Sequence, residues 1–288
     1  MIEWSGQRRS PATHAHTNGV QENGPREGAG HEGVFVNMPT RATLIEDLQR
    51  RFRAGQGFSV ATINLDHVVK LRQPGPFRTA YAKHTHVVAD GNPIVWLSRI
   101  AGHRIDLVPG SDLTAPVAAL AAAEGVPVAL LGATQETLKA AAQVLEARAP
   151  GLKVVAQIAP PYGFVPDGPQ ADACLEELAA SGAGLCFLAL GAPKQEIFAA
   201  HAQARLPDVG FLSIGAGLDF LSGAQTRAPG VVRALALEWI WRLGTNPRRL
   251  AWRYGACIAV LPGLMLRAVR SRGQTPPEQT SPPRSEAS

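Results

Sequence analysis

Six short apolar runs separated by helix-length segments constrain this chain more than anything else in it. They are Phe58–Ile63, His86–Ala89, Pro127–Leu131, Lys153–Ile158, Leu185–Leu190 and Val209–Ile214. Each is dominated by Val, Ile, Leu, Phe and Ala and is too short to be a helix. Between and beyond them lie helix-like stretches at about 40–54, 66–82, 93–101, 111–124, 135–148, 169–181, 194–205, 228–243 and 247–268. Strands that read as continuous apolar runs are buried on both faces, and helical crossovers make neighbouring strands parallel. The pattern predicts an α/β protein with a mostly parallel sheet, helices on both faces and a helical C-terminal appendage.

The ends of the 288-residue chain read differently. Residues 1–33 and 271–288 are polar and rich in Gly, Pro, Ser or His, and are expected to be a disordered leader and a disordered tail. That leaves 34–226 as the α/β domain and 227–270 as a basic, amphipathic appendage. The N-terminus carries no apolar core after Arg8-Arg9, so no secretory signal is expected. The net charge of +5 is unevenly placed: from Phe220 onward ten arginines face only Glu238, Glu278 and Glu286, a balance of +7. The positive charge therefore belongs to the appendage and tail. Cys174, Cys186 and Cys257 show neither disulfide nor zinc spacing and read as buried cytoplasmic thiols.

Open α/β sheets hold ligands at the carboxyl ends of their strands, so the strand ends are where chemistry is sought. The run Leu185–Leu190 passes into Gly191-Ala192-Pro193 and then Lys194-Gln195-Glu196, which opens a helix. Pro193 suits the first helical position, and the unpaired N–H groups there favour an anion. Thr62 and Asn64 alternate at the end of the first strand, where Asn64 or Asp66 also suits a helix cap. Asp90 emerges from Val87-Val88-Ala89 just before Gly91, either as a general base or as the cap of the next helix. Gly132, and Gly215 with Gly217, end two further strands in turns that can bring backbone close to a phosphate or nucleoside, or be tight turns only. Pro160-Pro161-Tyr162-Gly163-Phe164 makes a stiff loop whose ring can stack on a base or seal the core.

No G-x-G-x-x-G fingerprint or phosphate-binding G-x-x-x-x-G-K-[ST] element occurs, which argues against a dinucleotide-dependent epimerase or dehydrogenase and against that type of ATPase. No D-x-D pair or His/Cys cluster with ligand spacing is present, so neither metal nor organic cofactor is expected. Leaving-group charge then falls to N–H groups and cationic side chains. In 227–270, arginines alternate with Trp239, Trp241, Trp252 and Tyr254, and Ala256–Leu266 is an apolar run interrupted by Pro262-Gly263. Trp and Arg on an amphipathic helix suit a bilayer surface; the alternative is an ordinary helix packed on the domain. No recognition fold accompanies the basic stretch, so nucleic acid is not expected as a partner.

In combination these motifs resemble the WecG/TagA/CpsF family of bacterial glycosyltransferases. The resemblance rests on Thr62-Ile63-Asn64, Ala89-Asp90-Gly91, Pro109-Gly110-Ser111-Asp112-Leu113, Leu190-Gly191-Ala192-Pro193-Lys194-Gln195-Glu196 and Gly215-Ala216-Gly217. It continues through Ser222-Gly223, Arg227-Ala228-Pro229, Glu238–Leu243 and Pro247-Arg248-Arg249, all in family order. It implies a Rossmann-like sheet of the GT-E kind and a hexosyltransferase similar to glycosyltransferase family 26. The implied reaction is an inverting, metal-independent transfer of N-acetylmannosamine, its uronic acid or a glucose-type hexose. Donor and acceptor would be a UDP-sugar and an undecaprenyl-diphosphate-linked sugar, at the inner face of the plasma membrane, in cell-envelope or exopolysaccharide synthesis. Carried over, Asp90 is the base, with Thr62 and Asn64 beside it. Lys194 and Gln195, together with Gly132, Gly215 and Gly217, form the donor cradle. Arg227, Arg242, Arg248, Arg249 and Arg253 meet the lipid diphosphate and the membrane. One departure stands out: many members carry an arginine where this chain has Leu107, and Arg104 lies three residues earlier. A homo-oligomer is compatible with the resemblance, and so is a non-catalytic nucleotide- or lipid-binding accessory protein.

Overall fold

The computed structural model describes residues 2–4, 34–226 and 247–272. Strands β1 (Ile2–Trp4) and β2 (Val34–Val36) form a small parallel pair, so the leader contributes a strand where the sequence reads as disordered. Then follow α1 (Arg41–Arg53), β3 (Phe58–Ile63), α2 (Leu65–Leu71), α3 (Pro76–Tyr81), β4 (His86–Ala89), α4 (Asn92–Ile100) and α5 (Gly110–Ala123). The second half runs β5 (Val128–Gly132), α6 (Gln135–Arg148), β6 (Val154–Ile158), α7 (Pro169–Ser181), β7 (Leu185–Ala189), α8 (Lys194–Gln203), β8 (Gly210–Ser213) and α9 (Gly217–Ser222). A long helix, α10 (Pro247–Arg270), closes the described chain.

The main sheet has six strands, all parallel, in the order β4-β3-β8-β7-β5-β6. Alternate residues of β3, β4, β5, β7 and β8 enter different cores, as the period-2 geometry of a strand requires. Phe58, Val60, Leu130, Phe187 and Leu212 point to one face, where they meet Leu48, Leu113, Val117 and Leu138 from α1, α5 and α6. The other face carries two clusters. One joins Ala61, Ile63, Val87 and Ala89 to α2, α3, α4 and the inner side of α10. The second joins Leu131, Cys186, Leu188 and Phe211 to α7 and α8. All three cysteines are buried free thiols.

One departure among the helices has a local cause. The single helix expected over 66–82 is two, because Gln73-Pro74-Gly75-Pro76 interrupts it: Pro cannot continue the ladder, and Gly75 at φ 155° caps α3 with Pro76 behind it. By contrast Pro262 does not stop α10, in keeping with the helix expected over 247–268. It lies on the exposed side of that helix, where water can satisfy the carbonyl left without an N–H. The helix expected over 228–243 lies outside the described residues.

Candidate active site

The sheet order sets the site. The chain leaves β5 toward β6 on one side and leaves β7 toward β8 on the other, so β5 and β7 flank the point where the winding reverses. Such a point opens a crevice at the carboxyl ends of the strands. Gly132 ends β5 there with φ 113°, and a Cβ on it would stand 2.5 Å from the carbonyl carbon and oxygen of Ala189 on β7. No larger residue fits without moving one strand. Ala133 follows with φ 54°, an unusual conformation for a residue with a side chain.

Across β8 from this crevice, the ends of β3 and β4 form the other half of the site. The N–H of Asp90 donates to the carbonyl of Ile63 at 2.7 Å, and the N–H of Val108 donates to that of Ala89 at 2.7 Å. Gly91, not Asp90, is the N-cap of α4, so the capping alternative for Asp90 falls away. Asn64 does cap α2: its Oδ1 accepts the N–H of His67 at 3.1 Å, leaving its amide nitrogen as the donor. A Cβ on Gly91 would lie 3.7 Å from that of Asn64, so the Asn64 side chain abuts the Asp90 turn. Thr62 is buried with the N-terminus of α5 against it, and a Cβ on Gly110 would stand 3.2 Å from Thr62 Cγ2 and 2.7 Å from the carbonyl of Ser213. The Pro109–Leu113 segment thus closes on the sheet edge at a glycine.

Between the two halves sits the start of α8. Pro193 is its N-cap, one position earlier than the sequence suggests, and Lys194 is its first residue, half-buried. The Gly215 N–H donates to Gln195 Oε1 at 3.1 Å, and Gln195 Nε2 donates to Glu196 Oε1 at 2.8 Å. The turn after β8 and the helix after β7 are thereby joined through one side chain. From β4 to β6 the strand ends carry Asp90, the buried Thr62 with Asn64, Gly215, the buried Gln195, Gly132 and finally the exposed ring of Tyr162. Beside that ring a cavity of about 380 Å³ opens between β6 and α7, lined by Gln157, Pro161, Gln170 and Glu177 among others.

The model of the glycosyl transferase WecG/TagA/CpsF family matches residues 32–277. The chain belongs to that family. It is accordingly a glycosyltransferase of the kind used in cell-envelope polysaccharide synthesis, with a nucleotide-sugar donor and a lipid-linked acceptor.

Not every residue expected at the glycosyltransferase site lines its edge. Gly217 is buried, and a Cβ there would meet Thr114 Oγ1 at 2.8 Å, so its smallness serves the packing of α9 on α5. Arg253 pairs with Asp66 of α2 at 3.1 Å, and Asp66 also accepts from Lys70 at 2.7 Å. That pairing ties α10 to the helix that Asn64 caps. Arg227 and Arg242 lie outside the described residues, and of Arg248 and Arg249 only the backbone, at the start of α10, is described. Arg104 and Leu107 are both exposed in the loop between α4 and α5, which reaches the strand end before Asp90 at Val108.

Sequence reasoning missed a buried polar group beneath this edge. His67, Tyr81 and Glu196 meet under the end of β3, with His67 Nδ1 at 3.2 Å from the Tyr81 hydroxyl and Nε2 at 4.0 Å from Glu196 Oε1. Burial pushes the Glu196 carboxyl up to about 7, against the pull of the Gln195 amide and its own backbone N–H. Burial also holds His67 down to about 3, so it stays neutral. The Tyr81 hydroxyl is raised by burial and by the negative charges of Glu196 and Asp90. No motif announces this group, because its members come from three helices.

Proposed function

We propose that this glycosyltransferase moves a sugar from a UDP-sugar to a polyprenyl-diphosphate-linked sugar at an anionic membrane surface, in one inverting displacement without a metal ion. The observation that carries the reading is the division of the sheet edge: a carboxylate with Thr62 and Asn64 at β4 and β3, and glycine turns with a helix start at β8, β7 and β5.

Asp90 takes the proton as the acceptor hydroxyl attacks the anomeric carbon. The bond from that carbon to the UDP oxygen breaks on the opposite face, and UDP leaves with the electron pair. Thr62 and Asn64 orient the two reactants, since a well-placed pair of reactants gains much of its rate from position alone. Charge growing on the leaving diphosphate meets the Lys194 ammonium and the positive end of the α8 dipole, while the Gln195 N–H itself is engaged by the carbonyl of Gly191 at 3.1 Å. The nucleoside extends past Gly132 toward Tyr162, whose exposed ring offers a stacking face.

The acceptor arrives from the opposite end. Helix α10 packs on α2 and α4, the helices that leave β3 and β4. Its outer face exposes Trp252, Ile258, Met265, Leu266 and Val269, with Arg267 and Arg270 alongside. These positions recur at helical spacing as one apolar stripe, the form of an interfacial helix. Among the described residues no helix is long and apolar enough to cross a membrane. The lipid would therefore lie beside Asp90, where its terminal sugar is needed. The arginines at 227, 242, 248 and 249 belong to the same basic segment and are assigned to the lipid diphosphate.

The test is transfer in the presence of EDTA, with UDP-N-acetylmannosamine, its uronic acid and UDP-glucose offered against a lipid-diphosphate sugar. Transfer that persists, with the product's anomeric configuration inverted relative to the donor, is expected. Binding of UDP without transfer from any donor would make the protein an accessory binder, and loss of turnover with EDTA would overturn the metal-free step.

A further inference from the structure

We propose that Glu196 is a positioning residue of the donor site: its buried carboxyl fixes the Gln195 amide, and through that amide the Gly215 turn. The inference rests on the donor reading for Gln195 given above. The geometry is a relay of two hydrogen bonds, Gly215 N–H to Gln195 Oε1 at 3.1 Å and Gln195 Nε2 to Glu196 Oε1 at 2.8 Å. A carboxamide has two orientations, and only one presents oxygen to a backbone N–H. The acceptor on Glu196 selects that one, because the flipped amide would face a donor with a donor at Gly215 and an acceptor with an acceptor at Glu196. Gln195 is 3% exposed and Glu196 0%, so water cannot take over either role.

The surroundings make Glu196 an acid that changes charge near neutrality. Its Oε2 is buried without a hydrogen-bond partner. From α2 it meets His67, which burial keeps neutral, and the Lys70–Asp66 pair, whose positive charge is already engaged and whose carboxylate is shared with Arg253 of α10. From α3 it meets Tyr81, on which Asp90 also acts. Burial outweighs the pull of Lys70 toward the ionised form, which Asp66 opposes, and the Glu196 carboxyl is pushed up to about 7. The neutral acid can still accept from Gln195 through Oε1. The ionised form places a buried negative charge behind the turn that receives a diphosphate. Donor affinity is therefore greatest with Glu196 protonated and weakens as it ionises.

Three forms of the full-length protein separate this role from a structural one. Glu196→Gln keeps an acceptor and loses the charge; Glu196→Leu loses both. Donor KM in the wild type should rise several-fold between about pH 6 and 8, while Glu196→Gln keeps a low, pH-independent KM. Glu196→Leu should raise donor KM about tenfold with a much smaller change in kcat, the scale of one buried hydrogen bond. A second readout needs no turnover: the Gly215 amide resonance should titrate with a midpoint near 7 in the wild type and stay fixed in Glu196→Gln. A Gly215 resonance that is flat in the wild type, or a Glu196→Gln protein as impaired as Glu196→Leu, overturns the proposal. A wild type that transfers no sugar would count against the reaction instead, and the amide titration would then decide the relay alone.

Discussion

Asp90 and Ile63 share a backbone hydrogen bond of 2.7 Å that locks the turn after β4 to the end of β3. The bond holds Asp90 at the strand end that carries Thr62 and leads into Asn64 by main-chain geometry, so a change in the Asp90 side chain leaves that bond in place. Asp90→Asn should thus fold as the wild type does and bind donor within a few-fold of it. Its kcat should fall about 10²–10⁴-fold, the usual contribution of a general base. Single-turnover rates beside UDP titration calorimetry would check this, and unchanged turnover would remove Asp90 from the reaction.

The crevice between β5 and β7 is closed by a missing side chain. Gly132→Ala must place a Cβ 2.5 Å from the Ala189 carbonyl while holding φ near 113°. Overpacking and backbone strain each cost about 1–3 kcal/mol, so a loss of about 3 kcal/mol in urea unfolding is expected. Gly125→Ala is the control, since φ there is 68° with nothing within 4 Å, and about 1 kcal/mol should be lost. Equal losses at both positions would mean that β5 and β7 can part easily, and the crevice would not be rigid.

Stability should depend on pH in two opposed ways. Glu196 is raised from its ordinary 4.5 to about 7, so its contribution is full below 4.5 and is lost as pH rises through 7. His67 is lowered to about 3 and His84 to about 4, both by burial, so their contributions are full above 6.5 and are lost as pH falls toward those values. Between pH 4.5 and 6.5 the slopes partly cancel. Glu196→Gln removes one of them, and its stability should climb more steeply with pH than the wild type's across that window. Urea midpoints at half-unit steps from pH 4.5 to 8 would show it, and parallel profiles would deny that Glu196 is protonated in the fold.

The strands were legible because a strand buried on both faces must be apolar throughout, and the bounds of α6 and α7 agree with those read from periodicity and caps. Thr62, Asn64, Asp90 and Gln195 could be singled out because strand ends in such a sheet face one edge. Glu196 could not. An acid in the first turn of a helix ordinarily reads as a solvated partner of the helix dipole. Its burial comes from α3 settling on α8, more than 100 residues away in the chain. Arg253 is similar: an arginine in a basic segment reads as free for lipid, yet Asp66, far upstream, claims it. Sheet order, which puts β8 between β3 and β7, also leaves no local trace.

The outer stripe of α10 makes the last prediction. Its inner side is committed to the core through Cys257, Leu261, Leu264 and Ala268, while Trp252 is 86% and Ile258 61% exposed. Isolated apolar residues are common on surfaces, but five on the outer side of one helix with arginines alongside form a patch that needs a cover. Each apolar side chain moved from water to the acyl boundary gains about 1.5–3 kcal/mol, and each nearby arginine about 1 kcal/mol on anionic lipid. Ile258→Asp with Leu266→Asp should therefore lower affinity for phosphatidylglycerol vesicles by well over tenfold without lowering the unfolding temperature, since neither residue joins the core. Removing residues from Thr245 onward should abolish vesicle binding, and the fluorescence of Trp252 should shift to the blue when wild-type protein meets the vesicles. The electrostatic part should weaken as salt rises, because exposed charges are screened over about 8 Å at physiological ionic strength. If the double variant held to vesicles as the wild type does, α10 would not be the contact, and the lipid acceptor would have to reach Asp90 from another side of the sheet edge.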